Sequence, residues 1–422
     1  MQSFVLANAT ILDGSGAAPF VGDVVVEDGT VARVRPPGAP AAGPDPDRVY
    51  DCTGRTVMPG LVEAHCHISF DNIQSFEATV LTPVEDHALA SLKNAQLLLS
   101  RGFTSLFSAA AAKPRLDVAV RDAIAKGWFV GPRIRAASQE ITPSGNLGDA
   151  NTNYLTFPRA IAFTVTADGP DAFTEAARLA ARDGVDTLKV NVSGDRDYDV
   201  MHAYSDITVI TEAELAALVA VARPRGMKVA AHCTSNEGVK MCVRQGVDVI
   251  YHAVFADEEA RDMLEEARDR VFVAPTIGFP WSQLHEYRKY GLNWTPTKIR
   301  RLEVEVETLI ACMQDLRRRG VRILPGGDYG AGVTNPIGTN ARDLEHFVNL
   351  LGFTPMEAIV AATKLGGELM GEPDRIGQVK AGFHADLLVV DGDPLADIRI
   401  LQDPDRLSAI FIGGTPFKNT LH

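Results

Sequence analysis

Between residues 59 and 370, apolar runs of strand length recur with helix-like segments between them, and no other feature narrows the fold as much. Eight runs stand out: "LVEAHCH" (61–67), "FTSLFSA" (103–109), "RIRAAS" (133–138), "TLKVNV" (187–192), "KVAAHC" (228–233), "VIYHAV" (249–254), "VFVAPTI" (271–277) and "VRILPGGD" (321–328). The intervening stretches, such as residues 86–102 and 211–226, read as helices. The runs are nearly continuously apolar, as strands of a parallel sheet covered on both faces are. Eight strands alternating with helices predict an α/β chain centred on a (β/α)8 barrel of the TIM type. At 422 residues the chain is long enough for such a barrel and a smaller companion.

The two flanks read differently. Residues 1–58 hold short strands and turns, with a hairpin around Asp28-Gly29 and a Pro/Ala-rich loop over 36–48. After the helical stretch 354–371, strands and turns return in "RIGQVKAGFHADLLVVDGDPL" and "LSAIFIGGTPF". The expectation is a composite β-sandwich domain from residues 1–58 and 371–422 beside a catalytic barrel over 59–370.

Composition excludes several classes. The net charge of −13 argues against a surface that neutralises nucleic-acid phosphates. No stretch of roughly 20 apolar residues offers a membrane span, and the N-terminal residues lack a secretory pattern. The five cysteines Cys52, Cys66, Cys233, Cys242 and Cys312 form no CxxC pair and predict no disulfide framework. A reduced, cytoplasmic protein with a small-molecule substrate is expected.

Most polar residues that interrupt the apolar runs fall at their C-terminal ends, where a barrel carries its chemistry. They are His65 and His67 on the first strand, Lys189 on the fourth, His232 on the fifth, His252 on the sixth and Asp328 after the eighth. Histidines at i and i+2 on a strand face the same way and can grip one ion. Imidazole and carboxylate suit Zn2+ and similar divalent metals. His232 and His252 are placed to hold a second ion. Asp328 follows two glycines expected to permit a sharp turn, and it can ligate metal and take a proton from water. An ammonium at Lys189 would be repelled by two cations, whereas a carbamylated lysine is an anion able to bridge them. A lone histidine at a strand end is more often a hydrogen-bonded core residue, so the combination, not any one position, carries the reading.

These residues resemble the amidohydrolase superfamily over nearly the whole chain. "TVMPGLVEAHCH" looks like the family's strand-one metal motif, "GGD" like its strand-eight aspartate, and "AGFHADLLVVDGDPLADI" like its C-terminal β-domain signature. "DTLKVNVSG", "AAHCTSNEGVKMCVRQGVDVIYHAVFADEEA" and "TPMEAIVAATKLGGELMG" resemble the branch with imidazolonepropionase-like, prolidase-like, ochratoxinase-type and phenylurea-hydrolase-type enzymes. The resemblance implies a metal-activated hydroxide attacking an amide, carbamate or urea carbon. His65, His67 and Asp328 would hold the first metal, with zinc expected, and His232 and His252 the second. A carboxylated Lys189 would bridge them, Asp328 would serve as base and then acid, and the protein would be a homo-oligomer. Two departures stand out: Glu63 replaces the family's usual aspartate, and the loop "TPSGNLGD" has Asn146 where peptidase-like members often carry a histidine.

Substrate contacts are sought in three loops: Asn146 after strand three, Tyr198, His202 and Tyr204 after Lys189, and Trp281, His285 and Tyr287 after strand seven. His346 and His384 are expected to face solvent or substrate. Two other functions remain open. One is a mononuclear deaminase or cyclic-imine hydrolase, but such enzymes tend to carry a glutamate close after the strand-five histidine, and Glu237 here lies five residues on. The other is a non-enzymatic scaffold, which would be expected to have lost ligands.

Overall fold

The computed structural model describes residues 3–36, 47–149, 151, 156–195 and 204–422, and in it strands from the two flanks meet in one sheet. The strands in chain order are β1 Phe4–Ile11, β2 Phe20–Glu27, β3 Thr30–Arg35, β4 Arg48–Asp51 and β5 Arg55–Pro59. Then come β6 Leu61–Cys66, β7 Phe103–Ser108, β8 Arg133–Arg135, β9 Ala137–Thr142, β10 Thr164–Thr166 and β11 Thr187–Asn191. The rest are β12 Lys228–Cys233, β13 Val249–His252, β14 Phe272–Ala274, β15 Arg322–Ile323, β16 Leu387–Asp391, β17 Leu407–Ile412 and β18 Thr415–Asn419.

The flanking sheet runs β18-β17-β16-β5-β1-β2-β3, with β4 also paired to β1. The seam between the flanks is β5 against β16, antiparallel, with Val57 opposite Val389. Phe4, Leu6, Ile11, Val57, Leu387, Val389 and Phe411 form its buried core. Burying each such side chain contributes roughly 1.5–3 kcal/mol, an incentive that only the assembled sheet provides. The β2–β3 hairpin turns at Asp28 (φ 51°) and Gly29 (φ 77°), the two left-handed residues that an Asp-Gly pair supplies.

The central strands pair in parallel in two sets, β6-β7-β8 and β10-β9-β11-β12-β13-β14-β15. The expected third strand is divided at Ala136: β8 joins the first set and β9 the second. Asp186 causes the break. Its carboxylate accepts the Ala136 N–H at 2.8 Å, and the Ala136 carbonyl accepts the N–H groups of Asp186 and Thr187. Ala64 of β6 donates to the Pro325 carbonyl just past β15 at 3.3 Å, bringing the first and last parallel strands together. β10 was not expected; it pairs with the far edge of β9.

Helices lie between the strands, as the alternation predicts. Thr211 and Glu214 form a capping box that starts Glu212–Ala222, and Thr354 and Glu357 do the same for Pro355–Ala362. Each such cap contributes about 1 kcal/mol. Gly184 and Gly246 close Pro170–Asp183 and Asn236–Gln245 in the left-handed conformation. β6, β7 and β9 are buried at every residue, although β9 (ASQEIT) is mostly polar. Among the described residues no helix is long and apolar enough to cross a membrane. All five cysteines are free and buried.

Candidate active site

The parallel strands end at a cavity of about 770 Å3 whose lining includes His65, His67, Lys189, His232, His252 and Asp328. Parallel register brings them together: Asn191 lies opposite His232, and Cys233 opposite His252.

The Nε2 atoms of His67 and His65 lie 3.0 and 3.6 Å from Asp328 Oδ1. One potential ligand atom from each of the three residues falls within 4.8 Å of the others. His67 Nδ1 sits 3.1 Å from the Ala110 carbonyl, which can only accept, so Nδ1 carries the proton and Nε2 presents a lone pair. That lone pair faces a buried carboxylate oxygen that makes no hydrogen bond of ordinary geometry. Two imidazoles and a carboxylate converging in this way give one cation three ligand atoms of the kinds it prefers. The residues therefore fit a divalent metal. Burial drives the His65 imidazole well below its ordinary value, and nearby Lys189 adds to this, so the ring is neutral as a ligand must be. Burial pushes Asp328 upward, but His67, Lys189 and His232 outweigh it and hold the carboxyl below its usual range.

His232 and His252 stand beside this group with ring centroids 4.5 Å apart. His232 Nε2 lies 3.0 Å from the Gly194 carbonyl, which assigns the proton to Nε2 and the lone pair to Nδ1. Burial also lowers the His232 imidazole, against the opposing pull of Asp195. The Lys189 ammonium is buried 4.6 Å from the Tyr251 ring centroid, and that ring stacks on His65 at 3.7 Å. Burial lowers the Lys189 pKa, while Glu140, Asp328 and Asp195 pull the other way.

Backbone strain collects at the same place. His252 (φ 75°), Thr276 (φ 60°) and Asp328 (φ 60°), all non-glycine residues, sit in the left-handed region at or just past the ends of β13, β14 and β15. Thr276 Oγ1 is 3.0 Å from His65 Nδ1, so its unusual backbone aims a partner at the ligand ring. Gly326 and Gly327 act differently from expectation. Neither has a positive φ; a Cβ on Gly326 would stand 2.7 Å from His65 Cβ, and one on Gly327 would stand 2.6 Å from Asp343 Oδ1. They permit close approach, and the strained turn falls on Asp328 itself.

Behind the ligands lie two buried carboxyls. Glu63 accepts the His65 N–H at 3.1 Å and the Asn340 amide at 2.8 Å. Burial and neighbouring Asp343 push it up to about 8. Asp343 accepts from the Gly326 N–H and the Tyr329 hydroxyl, each at 3.0 Å, and burial pushes it up to about 7. Asp343 thus clamps the turn on both sides of Asp328.

The expected substrate contacts fall elsewhere. Asn146 is buried, donates to Thr142 Oγ1 at 3.2 Å and the Asn191 carbonyl at 3.4 Å, and is not in the lining; its neighbour Leu147 is. Tyr204 lines a separate cavity of about 560 Å3. Tyr198 and His202 lie outside the described residues. In the helix Gly278–Glu286, Phe279 and Gln283 line the active-site cavity, whereas Trp281 packs on His285 and His346. The difference is helical phase: residues four apart share a face, and 279/283 and 281/285 are different pairs. Tyr287 is buried with its ring 5.9 Å from that of Trp294, which does line the cavity. His346, expected at solvent or substrate, is buried; burial and Arg342 push it down to about 3. Glu237 is mostly exposed, pairs with Lys240 at 3.2 Å and is not in the lining, so it is no proton shuttle here.

Glu140, Asp195, Thr276 and Tyr251 escaped sequence reasoning. Glu140 had a signal: reading the third strand two residues further would have met a carboxylate at a strand's C-terminal end.

The amidohydrolase family matches residues 56–416. Ochratoxinase from Aspergillus niger is 25% identical over 382 residues, covering 86% of this chain and 75% of that protein. Imidazolonepropionase from Micrococcus luteus is 26% identical over 415 residues, covering 92% and 91%. Among solved structures, a Xaa-Pro dipeptidase with bound methionine superposes with a TM-score of 0.84 at 24% identity, covering 99% of this chain and 100% of the other.

Proposed function

Because this chain belongs to the amidohydrolase family, we propose that it is a metal-dependent hydrolase that cleaves the C–N bond of an amide, carbamate or urea. The observation that carries the reading is the convergence of the His65 and His67 Nε2 atoms on the Asp328 carboxylate in a cavity. His65, His67 and Asp328 would hold a first ion, and His232 and His252 a second. The chemistry of the donors favours zinc. A Lys189 carboxylated on Nζ would supply an anionic ligand between the two ions; burial favours the neutral amine that such a reaction with carbon dioxide needs.

A bound divalent ion supplies Lewis acidity to the attacking water and to the scissile carbonyl. Asp328 accepts the proton of the attacking water on its carboxylate and returns it to the departing nitrogen. His65 is oriented by Thr276 and His67 by the Ala110 carbonyl, so neither ring can turn away during turnover.

The reading extends to the whole molecule. The two parallel sets form one closed barrel over residues 59–370, and the flanks 1–58 and 371–422 form a β-sandwich domain. Buried free cysteines suit the cytoplasm. The exposed run Trp128-Phe129-Val130 suits packing against a second copy in a homo-oligomer.

The test is metal content per chain with turnover of N-acyl amino acids, dipeptides and aryl carbamates or ureas. Two ions per chain and hydrolysis within that panel are expected. His65→Ala with His67→Ala removes both metal and turnover. Failure to bind metal, even after reconstitution with metal and bicarbonate, overturns the reading.

A further inference from the structure

The strand that carries His65 leaves its regular ladder where that residue stands. The register of β6 against β7 shifts between Glu63 and Cys66. Backbone groups in the gap are met from elsewhere: Glu63 accepts the His65 N–H at 3.1 Å, and the Pro325 carbonyl accepts the Ala64 N–H at 3.3 Å. The Ala64 carbonyl accepts a bond from a side chain of β13, the Tyr251 hydroxyl, at 3.1 Å.

Tyr251 makes two further contacts with its ring. One is the stack on the His65 imidazole, with centroids 3.7 Å apart and planes 17° apart. The other is with Lys189, whose Nζ lies 4.6 Å from the ring centroid. The side chain is wholly buried, belongs to one apolar cluster with Ala64 and Phe107, and lies outside the lining of the cavity. Burial pushes its hydroxyl well above the ordinary value, so the group keeps its proton and acts as a donor.

These contacts restrain what the strand alone leaves loose. An imidazole can swing about two side-chain bonds and a lysine about four. Thr276 holds the Nδ1 edge of His65 at 3.0 Å, and Tyr251 covers its face. The same rigid ring limits where Lys189 can stand, and the hydroxyl ties that ring to the backbone next to His65. His67 also stacks on a ring, that of Phe70 at 3.9 Å, but Phe70 lines the cavity and its loss would alter the substrate's surroundings as well.

We infer that Tyr251 is a positioning residue of the ion site, one that fixes His65 and Lys189 relative to each other from beneath the cavity floor. This rests on the hydrolase reading above.

The experiment measures zinc affinity by chelator competition, with kcat and KM beside it, on the full-length protein. Tyr251→Leu is expected to weaken zinc binding about 10- to 100-fold and to lower kcat, with KM unchanged because the ring meets no substrate. Tyr251→Phe, which keeps the ring and loses only the hydroxyl, restores most of both. Should Tyr251→Leu fail to fold, Tyr251→Met, which fills the space without a ring, is read in the same way. Phe107→Leu is the control: it removes a buried ring from the same cluster, and it should lower the urea midpoint of unfolding while zinc affinity stays as in the wild type. Wild-type zinc affinity in the ringless variant, or an equal loss in Phe107→Leu, overturns the inference. Zinc binding that depends on the Tyr251 ring in a protein without turnover keeps the positioning role and removes the hydrolase. Turnover with zinc affinity indifferent to that ring keeps the hydrolase and removes the positioning role.

Discussion

Where the parallel strands begin, carboxylates meet cations. Asp386 takes both arms of Arg133, at 2.7 and 3.1 Å, and also the Gly413 N–H at 2.7 Å. Lys228 pairs with Asp248 at 3.0 Å, Arg322 with Glu368 at 3.2 Å, and Arg121 with Asp186 at 2.6 Å. Where the same strands finish, Glu63 and Asp343 are buried near each other, two imidazoles converge on Asp328, and His252, Ala253, Thr276 and Asp328 take left-handed backbone. One set of strands thus carries a satisfied rim and a frustrated one. The satisfied rim contributes stability, which the frustrated rim consumes in presenting ligands.

The contrast can be broken most severely at Asp328. Asp328→Asn should lower kcat at least about a thousandfold, since an amide cannot take the proton. The fold should be retained, because asparagine keeps the shape of the side chain; a large loss of stability would contradict the contrast. Next is Asp343→Ala, which frees the turn around Asp328. We expect metal affinity to fall about 10- to 100-fold, read by chelator competition, with Asp343→Asn in between. At the opposite rim, Asp386→Ala should cost about 2 kcal/mol in urea unfolding, because Arg133 loses its partner. The metal content and kcat/KM of the folded protein should not change.

A further effect is one of pH. Glu63 rises from 4.5 to about 8 and Asp343 from 3.8 to about 7 in the folded protein. Between their unfolded and folded values the folded chain holds protons that the unfolded chain has released. Their contribution is therefore full below about pH 4 and declines as pH rises toward 8. Urea melts of metal-free protein at pH 5 and pH 8 should show that decline, and Glu63→Gln should flatten it. An unchanged slope would relocate the protons.

The strand-end residues were legible because each is a polar interruption of an apolar run, and a parallel strand buried on both faces leaves few such positions. The structure gathers all six of them around one cavity. Phe279, Gln283 and Trp294 were not legible because the segment after strand seven was weighed by residue type, and only the helical phase separates Phe279 from Trp281. Glu140 was hidden by the break at Ala136, which disguises where the third strand ends. Asp343 lies in a helix well past the glycines it clamps, and no local pattern joins the two. The glycines before Asp328 were visible, but their reason was a crowded neighbour and not a turn.

The pairing of β5 with β16 has a consequence for how the protein is made. Arg55 and Asp391, bound side chain to side chain at 2.7 Å, are 336 residues apart. On a ribosome, the first five strands emerge long before β16 exists, and the edge of β5 must wait for nearly the whole chain to be synthesised. Closing so long a loop is slow, and an unpaired edge is prone to join another chain. A circular permutant that joins the flanks and opens an exposed helix–strand turn would let the sheet complete itself early, raising soluble yield without touching the active-site cavity.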